Sequence, residues 1–181
     1  MSKWVLKFLA VCFVVVGHST TSHAATDLFL FIPNITGEST DQAHPGWIHI
    51  QSATWSHGEA PPGSVAKIQF GRVTITKRND STSPMLALLG ASGQLIKDVK
   101  LEMLTANEAS IPLLRMKLTN VRVASYATAL RTADNAGTDS IALSFDTITW
   151  INFKITPQGQ SVAGSSACWD VVNNKGCAPA F

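Results

Sequence analysis

Apolar and polar positions alternate with a period of two through much of the chain, the mark of strands with one dry face. Between Ala66 and Lys77, Ile68, Phe70, Val73 and Ile75 fall among Lys67, Gln69, Arg72, Thr74 and Thr76. The rhythm slips at Gly71, which predicts a β-bulge. Asn79-Asp80-Ser81 is turn chemistry. Ser83-Pro84 then opens a helix: the Ser83 hydroxyl can cap an orphan N–H, and Pro84 has no N–H to lose. Met85, Leu86, Leu88 and Leu89 give that helix an apolar side, and Gly90 or Gly93 can end it. Leu95 to Leu104 resumes the strand rhythm with Ile96, Val99, Leu101 and Met103.

The same reading extends both ways. Asp27 to Ile35 is nearly all apolar and predicts a strand buried on both sides. Trp47 to Trp55 predicts a second strand with Ile48 and Ile50 inward, and Ser56 to Ser64, with Pro61-Pro62-Gly63, a loop. Pro112 to Tyr126 reads as a long strand bent near Asn120, and Leu130 to Asp139 as a polar hairpin loop. Ser140 to Ile155 reads as another long strand, Gln160 to Ala167 as a small polar stretch, and Cys168 to Val172 as a last apolar patch. The expectation is a mainly β fold: a single closed or nearly closed β-barrel or sandwich of about seven strands with one short flanking α-helix.

Composition changes this picture at the N-terminus. Lys3 and Lys7 precede an apolar run, Phe8 to Val16, followed by Ser22-His23-Ala24. Residues 1–24 therefore read as a secretory signal peptide, cut after Ala24 or Ala25, and residues 25–181 as one β domain. The run is far short of the roughly 20 residues that span a bilayer, so no membrane attachment is expected after cleavage. Of 14 Lys and Arg, the leader takes two, which leaves twelve of them facing 12 Asp and Glu. That balance gives no reason to expect nucleic-acid binding. Cys12 leaves with the leader, while Cys168 and Cys177 remain and are expected to pair in an oxidising compartment, the alternative being two free thiols.

Candidate chemistry is sparse. His44, His49 and His57 are the histidines left after cleavage; they flank or sit in one strand and offer at most a weak metal set. Glu38, Asp41, Glu59, Asp146 and Asp170 could in principle supply paired carboxylates, but they are scattered. There is no G-x-S-x-G elbow, phosphate loop or dinucleotide fingerprint. No catalytic, cofactor-binding or metal-binding residue is assigned, and no cofactor is expected. Trp47, Trp55, Trp150 and Trp169 could stack sugars, though tryptophans more often fill cores and interfaces.

Asp27-Leu28-Phe29-Leu30, Gly37-Glu38-Ser39, Ala53 to Gly58, Ser83-Pro84-Met85-Leu86 and Trp169-Asp170 follow one another in an order that resembles the Hcp family, whose members form the inner tube of the bacterial type VI secretion system. Asp27-Leu28-Phe29-Leu30 followed by Gly37-Glu38-Ser39 is similar to its N-terminus, and Ala53 to Gly58 stands where it carries a strand ending in Trp-x-x-Gly. Ser83-Pro84-Met85-Leu86, Gly93 to Leu101, Leu118 to Val121 and the terminal Trp169-Asp170 also match in order and spacing, from Asp27 to Asp170. The resemblance implies a β-barrel with one helix that assembles as a homo-hexamer, stacks into tubes and carries small effector proteins in its lumen, without catalysis. Three features depart from the family: the leader, a shorter loop at Ser56 to Ser64, and the cysteine pair. They leave a second expectation, an exported Hcp-fold binding module for an envelope or host ligand. Either way the protein is expected to be secreted, to the periplasm or beyond.

Overall fold

A computed structural model describes residues 26–64, 68–106, 110–132 and 136–181; the leader expected at residues 1–24 lies outside the described residues. In chain order the elements are β1 (Thr26–Phe31), β2 (Ile48–His49), β3 (Ser52–Thr54), β4 (His57–Glu59), β5 (Ile68–Phe70), β6 (Val73–Arg78), α1 (Ser83–Ser92), β7 (Ile96–Thr105), β8 (Pro112–Arg131), β9 (Ala136–Ser144), β10 (Thr147–Ile155), β11 (Ser161–Asp170) and β12 (Lys175–Gly176). The fold is mainly β with one helix, as the alternation predicts.

The sheet is not closed into a barrel, which corrects the closed form of the expectation. One run of strands is ordered β12-β11-β10-β8-β7-β1-β2, and a second, β8-β9-β6-β3, shares β8 with it. The ladder stops between β2 and β3. There the Ile50 N–H goes to Leu28 O (2.9 Å) in one sheet and the Gln51 N–H to Thr76 O (2.8 Å) in the other. Strand β8 serves both sheets without a break. Its first half lies between β7 and β10, its second half pairs with β9, and Asn120 at the change has φ 51°. Asparagine is one of the few residues besides glycine that tolerates that left-handed conformation.

Three stretches that read as single strands turn corners instead. Trp47 to Trp55 divides into β2 and β3. Ser140 to Ile155 divides into β9 and β10 at Phe145-Asp146. Ala66 to Lys77 does not bulge at Gly71 but breaks, and the Gly71 N–H bonds Ser56 O (2.8 Å). Strand β5 pairs with β4 in a separate two-stranded ribbon, so Ser56 to Ser64 is not a plain loop. The count is twelve strands among the described residues, not about seven. Strand β11 covers the Gln160–Ala167 stretch that had read only as small and polar.

One core fills the space between the sheets. Leu30, Ile48, Val99, Leu101, Met116 and Leu118 come from one, Val73, Ile75, Ile141 and Leu143 from the other. Helix α1 adds Leu86 and Leu89. Its N-cap is Thr82, without a side-chain cap bond, so the expected Ser83 cap is corrected: that hydroxyl is engaged elsewhere. Gly93 ends the helix at φ 62°, its N–H on Leu89 O, as a left-handed C-cap requires.

Candidate functional site

Strand β1 buries both of its faces. Leu30 enters the core, while Phe29 on the opposite face is stacked on His44 (centroids 4.8 Å apart, 4° between planes) and lies 4.6 Å from His49. Loop 37–47 brings His44 there. Asp41 Oδ1 accepts the N–H groups of Ala43 (3.0 Å) and His44 (2.9 Å) and faces His44 Nδ1 at 3.0 Å. His44 Nε2 faces Glu102 on β7 at 3.2 Å, and Arg115 Nε on β8 donates to the same carboxylate at 2.9 Å. Burial raises the Asp41 carboxyl, but hydrogen bonds from His44, Ser110 and Ala43 outweigh it and hold it below the usual range. This is a clasp of loop to sheet.

The loop is clasped at its start as well. The Gly37 N–H bonds Gly46 O at 2.7 Å, and the Ser39 N–H bonds Trp47 O at 3.1 Å. Glu38 accepts the Ser81 N–H (3.1 Å) just ahead of α1, and the Ser81 bonds lower its carboxyl. Gly37-Glu38-Ser39 therefore ties loop, sheet and helix start together.

The other candidates are dispersed. His57 stacks on Phe70 in the β4–β5 ribbon (4.9 Å), away from the Phe29 pair. Among the described residues no group of three His, Cys, Asp or Glu side chains could hold a metal ion. Glu59 is exposed on β4, Asp146 accepts Asn120 Nδ2 in the β9–β10 turn (2.9 Å), and Asp170 is lowered by the Asn173 bonds that shape the turn after β11. Trp150 and Trp169 converge, with His57, Ile68 and Phe70, on an apolar hollow of about 220 Å³. Trp47 packs instead on His44 and Phe31, and Trp55 is half-exposed on its own; the four do not form one platform. Cys168 and Cys177 are joined, Cα atoms 5.0 Å apart, and staple β12 to β11. Replacing Cys177 with serine is expected to lower the unfolding free energy by about 2–3 kcal/mol in the chain-entropy model for so short a loop. Urea unfolding with and without a reductant checks this.

A cluster that alternation could not reveal lies between β6, α1 and β9. Lys77 and Asp139 each have 0% exposure, and Lys77 Nζ lies 3.2 Å from Asp139 Oδ2 and 2.7 Å from Asp80 Oδ1. Ser83 Oγ donates to Asp139, Asn79 Nδ2 donates to it at 3.0 Å, and Thr128 bonds it as well. Burial raises the Asp139 carboxyl, yet those bonds together with Lys77 pull it down to about 2, from 3.8. Asp139 also raises the Tyr126 hydroxyl, adding to the effect of burial there. A carboxyl depressed on folding contributes stability that is present above its unfolded value and lost as the pH falls through its folded one. Asp139 alone should therefore contribute about 2 kcal/mol at pH 6, lost between roughly pH 4 and 2. Glu38, Asp41 and Asp170 titrate in the same sense, so the check is the difference between wild type and Asp139→Asn in urea unfolding across that window. Parallel pH curves would refute it.

Among the described residues the geometry thus gives clasps of loop to sheet and a packed ion pair. The family model described as type VI secretion system effector, Hcp, matches residues 29–151. The chain belongs to the Hcp family. Hcp is a family of structural tube proteins that form ring oligomers, not a family of enzymes. Among solved structures the chain is similar to one described as a type six secretion system protein, with TM-score 0.77, 23% identity and coverage of 84% of this chain and 100% of that one. It is also similar to Hcp1 from Salmonella typhimurium (TM-score 0.68, 27% identity, 84% and 99%). A third likeness is a type VI secretion system effector from Yersinia pestis (0.65, 23%, 80% and 100%). No curated protein matches. The matched Hcp region begins at Phe29 and takes in the Gly37 clasp, α1 and the Lys77–Asp139 pair.

Proposed function

We propose that this Hcp-family chain is a tube subunit that leaves the cytoplasm by its own leader, residues 1–24, forms the Cys168–Cys177 bond outside, and then assembles. Six copies make a ring, rings stack, and the bore holds small effector proteins. The observation that carries this reading is the family match over residues 29–151, joined to likeness with Hcp structures over 99–100% of two relatives' lengths. Lys3, Lys7 and the apolar run after them support the export step. The cysteine pair supports an oxidising destination. No helix among the described residues is long and apolar enough to cross a membrane. N-terminal sequencing of the native protein, with electron microscopy of the same sample, tests the reading. It expects a start at Ala25 or Thr26 and ring-shaped particles. A retained Met1 would remove the export step, and isolated small particles would remove the tube.

The hollow lined by His57, Phe70, Trp150 and Trp169 favours one second reading, an exported binding module that does not stack. Aromatic walls suit an apolar or sugar face. A glycan and peptide array without a hit, alongside ring assembly, would dispose of it.

A further inference from the structure

The balanced sum of charges conceals an uneven spread. Of the chain's five arginines, Arg72, Arg78, Arg122 and Arg131 belong to or adjoin one sheet, β8-β9-β6-β3. Burial and register show which face that sheet turns away from the core. Val73, Ile75 and Lys77 of β6 are buried, so Thr74, Thr76 and Arg78 face outward. In β9, Ile141 and Leu143 are buried, which leaves Ser140 and Ala142 outward. In β8, Thr128 reaches inward to Asp139, which leaves Ala127, Ala129 and Arg131 outward. Ser52 Oγ meets Thr76 Oγ1 on this face at 2.6 Å. Ser52, Thr76, Ser140 and Ala127 lie side by side across the four strands, and the next row holds two threonines, an alanine and a serine. The middle of the face is therefore low, uncharged and lined with hydroxyls.

The arginines stand at its two ends. Val73, Leu143 and Val123 form one row across the sheet, and Arg72 and Arg122 each come one residue before it, at the same end. Arg78 shares a row with Thr138 and Ala129 at the other end, and Arg131 lies two residues further along β8. The extended chain from Arg72 to Arg78 parts the two ends by about 20 Å. All four arginines are exposed. None has an ion pair or a side-chain hydrogen bond among the described residues. The strands of this sheet carry one acid, Asp139, and it lies inside against Lys77. Glu38 and Asp80 share a cleft with Arg78 but are already engaged, by the Ser81 N–H and by Lys77. Surface charges on a sheet favour opposite partners across the strands; here four guanidinium groups share a face that has no anion.

We propose that this face docks an acidic polypeptide segment of another protein, laid along β6 so that its carboxylates meet Arg72 and Arg122 at one end and Arg78 and Arg131 at the other. Charge complementarity carries the choice of partner, since the guanidinium fork takes a carboxylate by two bonds at once. The chemistry of the face separates a polypeptide from the other polyanions. A nucleic-acid strand needs aromatic side chains on which its bases stack, and the outward rows contain none. A lipid surface needs apolar side chains that enter it, and the outward rows carry none larger than alanine. Serine and threonine hydroxyls, which both donate and accept, suit the amides of a peptide lying between the charged ends. The face is complete in one copy, so this inference goes beyond the assembly reading and stands or falls apart from it.

Fluorescence anisotropy with the purified, oxidised protein tests this. The probe is a labelled peptide of alternating glutamate and serine, about twelve residues long, which spans the strip when extended. Wild type should bind it at low salt and lose it as salt is raised. Arg72→Gln with Arg122→Gln, and Arg78→Gln with Arg131→Gln, should each weaken binding at least about tenfold. Lys154→Gln with Lys175→Gln removes the same charge from β10 and β12 and should leave binding within about twofold of wild type. Where a glutamine pair fails to fold by circular dichroism, the corresponding lysine pair takes its place; it keeps the charge, loses the fork and should still weaken binding at least about threefold. Absence of binding at low salt overturns the proposal, as does equal weakening by the Lys154 and Lys175 pair. Tighter binding of oligothymidine or of phosphatidylglycerol vesicles than of the peptide overturns it too.

Discussion

Asp139→Ala is expected to lower the unfolding free energy by about 3 kcal/mol, because it takes a buried carboxylate from the Lys77 ammonium, which is left with Asp80, the Arg78 carbonyl and Ser83 Oγ. Both groups lack any exposed surface. Asp80, 2.7 Å from Lys77 Nζ, does not substitute fully: its Oδ1 also receives the N–H and the hydroxyl of Thr82, at 2.8 and 2.6 Å. The loss also strands Ser83 Oγ and Asn79 Nδ2, which donate to the same carboxylate. Removing both charges should cost much less. Lys77→Met with Asp139→Leu replaces a buried pair by apolar side chains, a change that is often neutral or better. Urea unfolding of the single and double variants separates the two cases. A single variant within 1 kcal/mol of wild type, on the order of a surface substitution, would mean that the pair is not buried as described.

Gly37→Ala should be the other severe change, at about 2–3 kcal/mol. A Cβ there would sit 2.3 Å from the Trp47 carbonyl oxygen, 2.5 Å from its carbon and 2.7 Å from the Ile48 nitrogen. All three are backbone atoms, so no side chain can swing aside. Loop 37–47 would have to lift off β2, loosening the Gly37–Gly46 and Ser39–Trp47 bonds and the His44–Glu102 contact that depends on them. Gly58→Ala is the matched control, since nothing lies within 4 Å of a Cβ there, and it should stay within about 0.5 kcal/mol of wild type. Thermal unfolding of both variants decides. Equal midpoints would show that the loop adapts.

Much of this architecture was legible because burial writes itself into alternation. Strand β7, the bend of β8 at Asn120 and the helix from Ser83 all follow from apolar spacing and local turn chemistry. The corners did not. Ile48 and Ile50, like Leu143 and Ile148, keep facing one shared core as the chain passes from sheet to sheet, so the rhythm ran on across breaks that it could not mark. Strand β11 was missed for the opposite reason. Ser161 to Ala167 contributes nothing to the core cluster and so shows no apolar period. Lys77 and Asp139 occupy polar positions that looked solvated; their burial depends on β6, β9 and α1 meeting at one place, and no local signal carries that. Ser83 looked like a cap because its type suits one, and its hydroxyl was drawn instead to that buried carboxylate. The short Gly37-Glu38-Ser39 motif was visible as a resemblance, but its cause, backbone packed on backbone, was not.

What most directly tests the claim that this chain works by joining copies of itself is the mass of the oxidised, leader-free protein in solution. Sedimentation over a wide concentration range should show a discrete species of about six subunits, reversible on dilution. A single subunit-sized species at every concentration reached would contradict it.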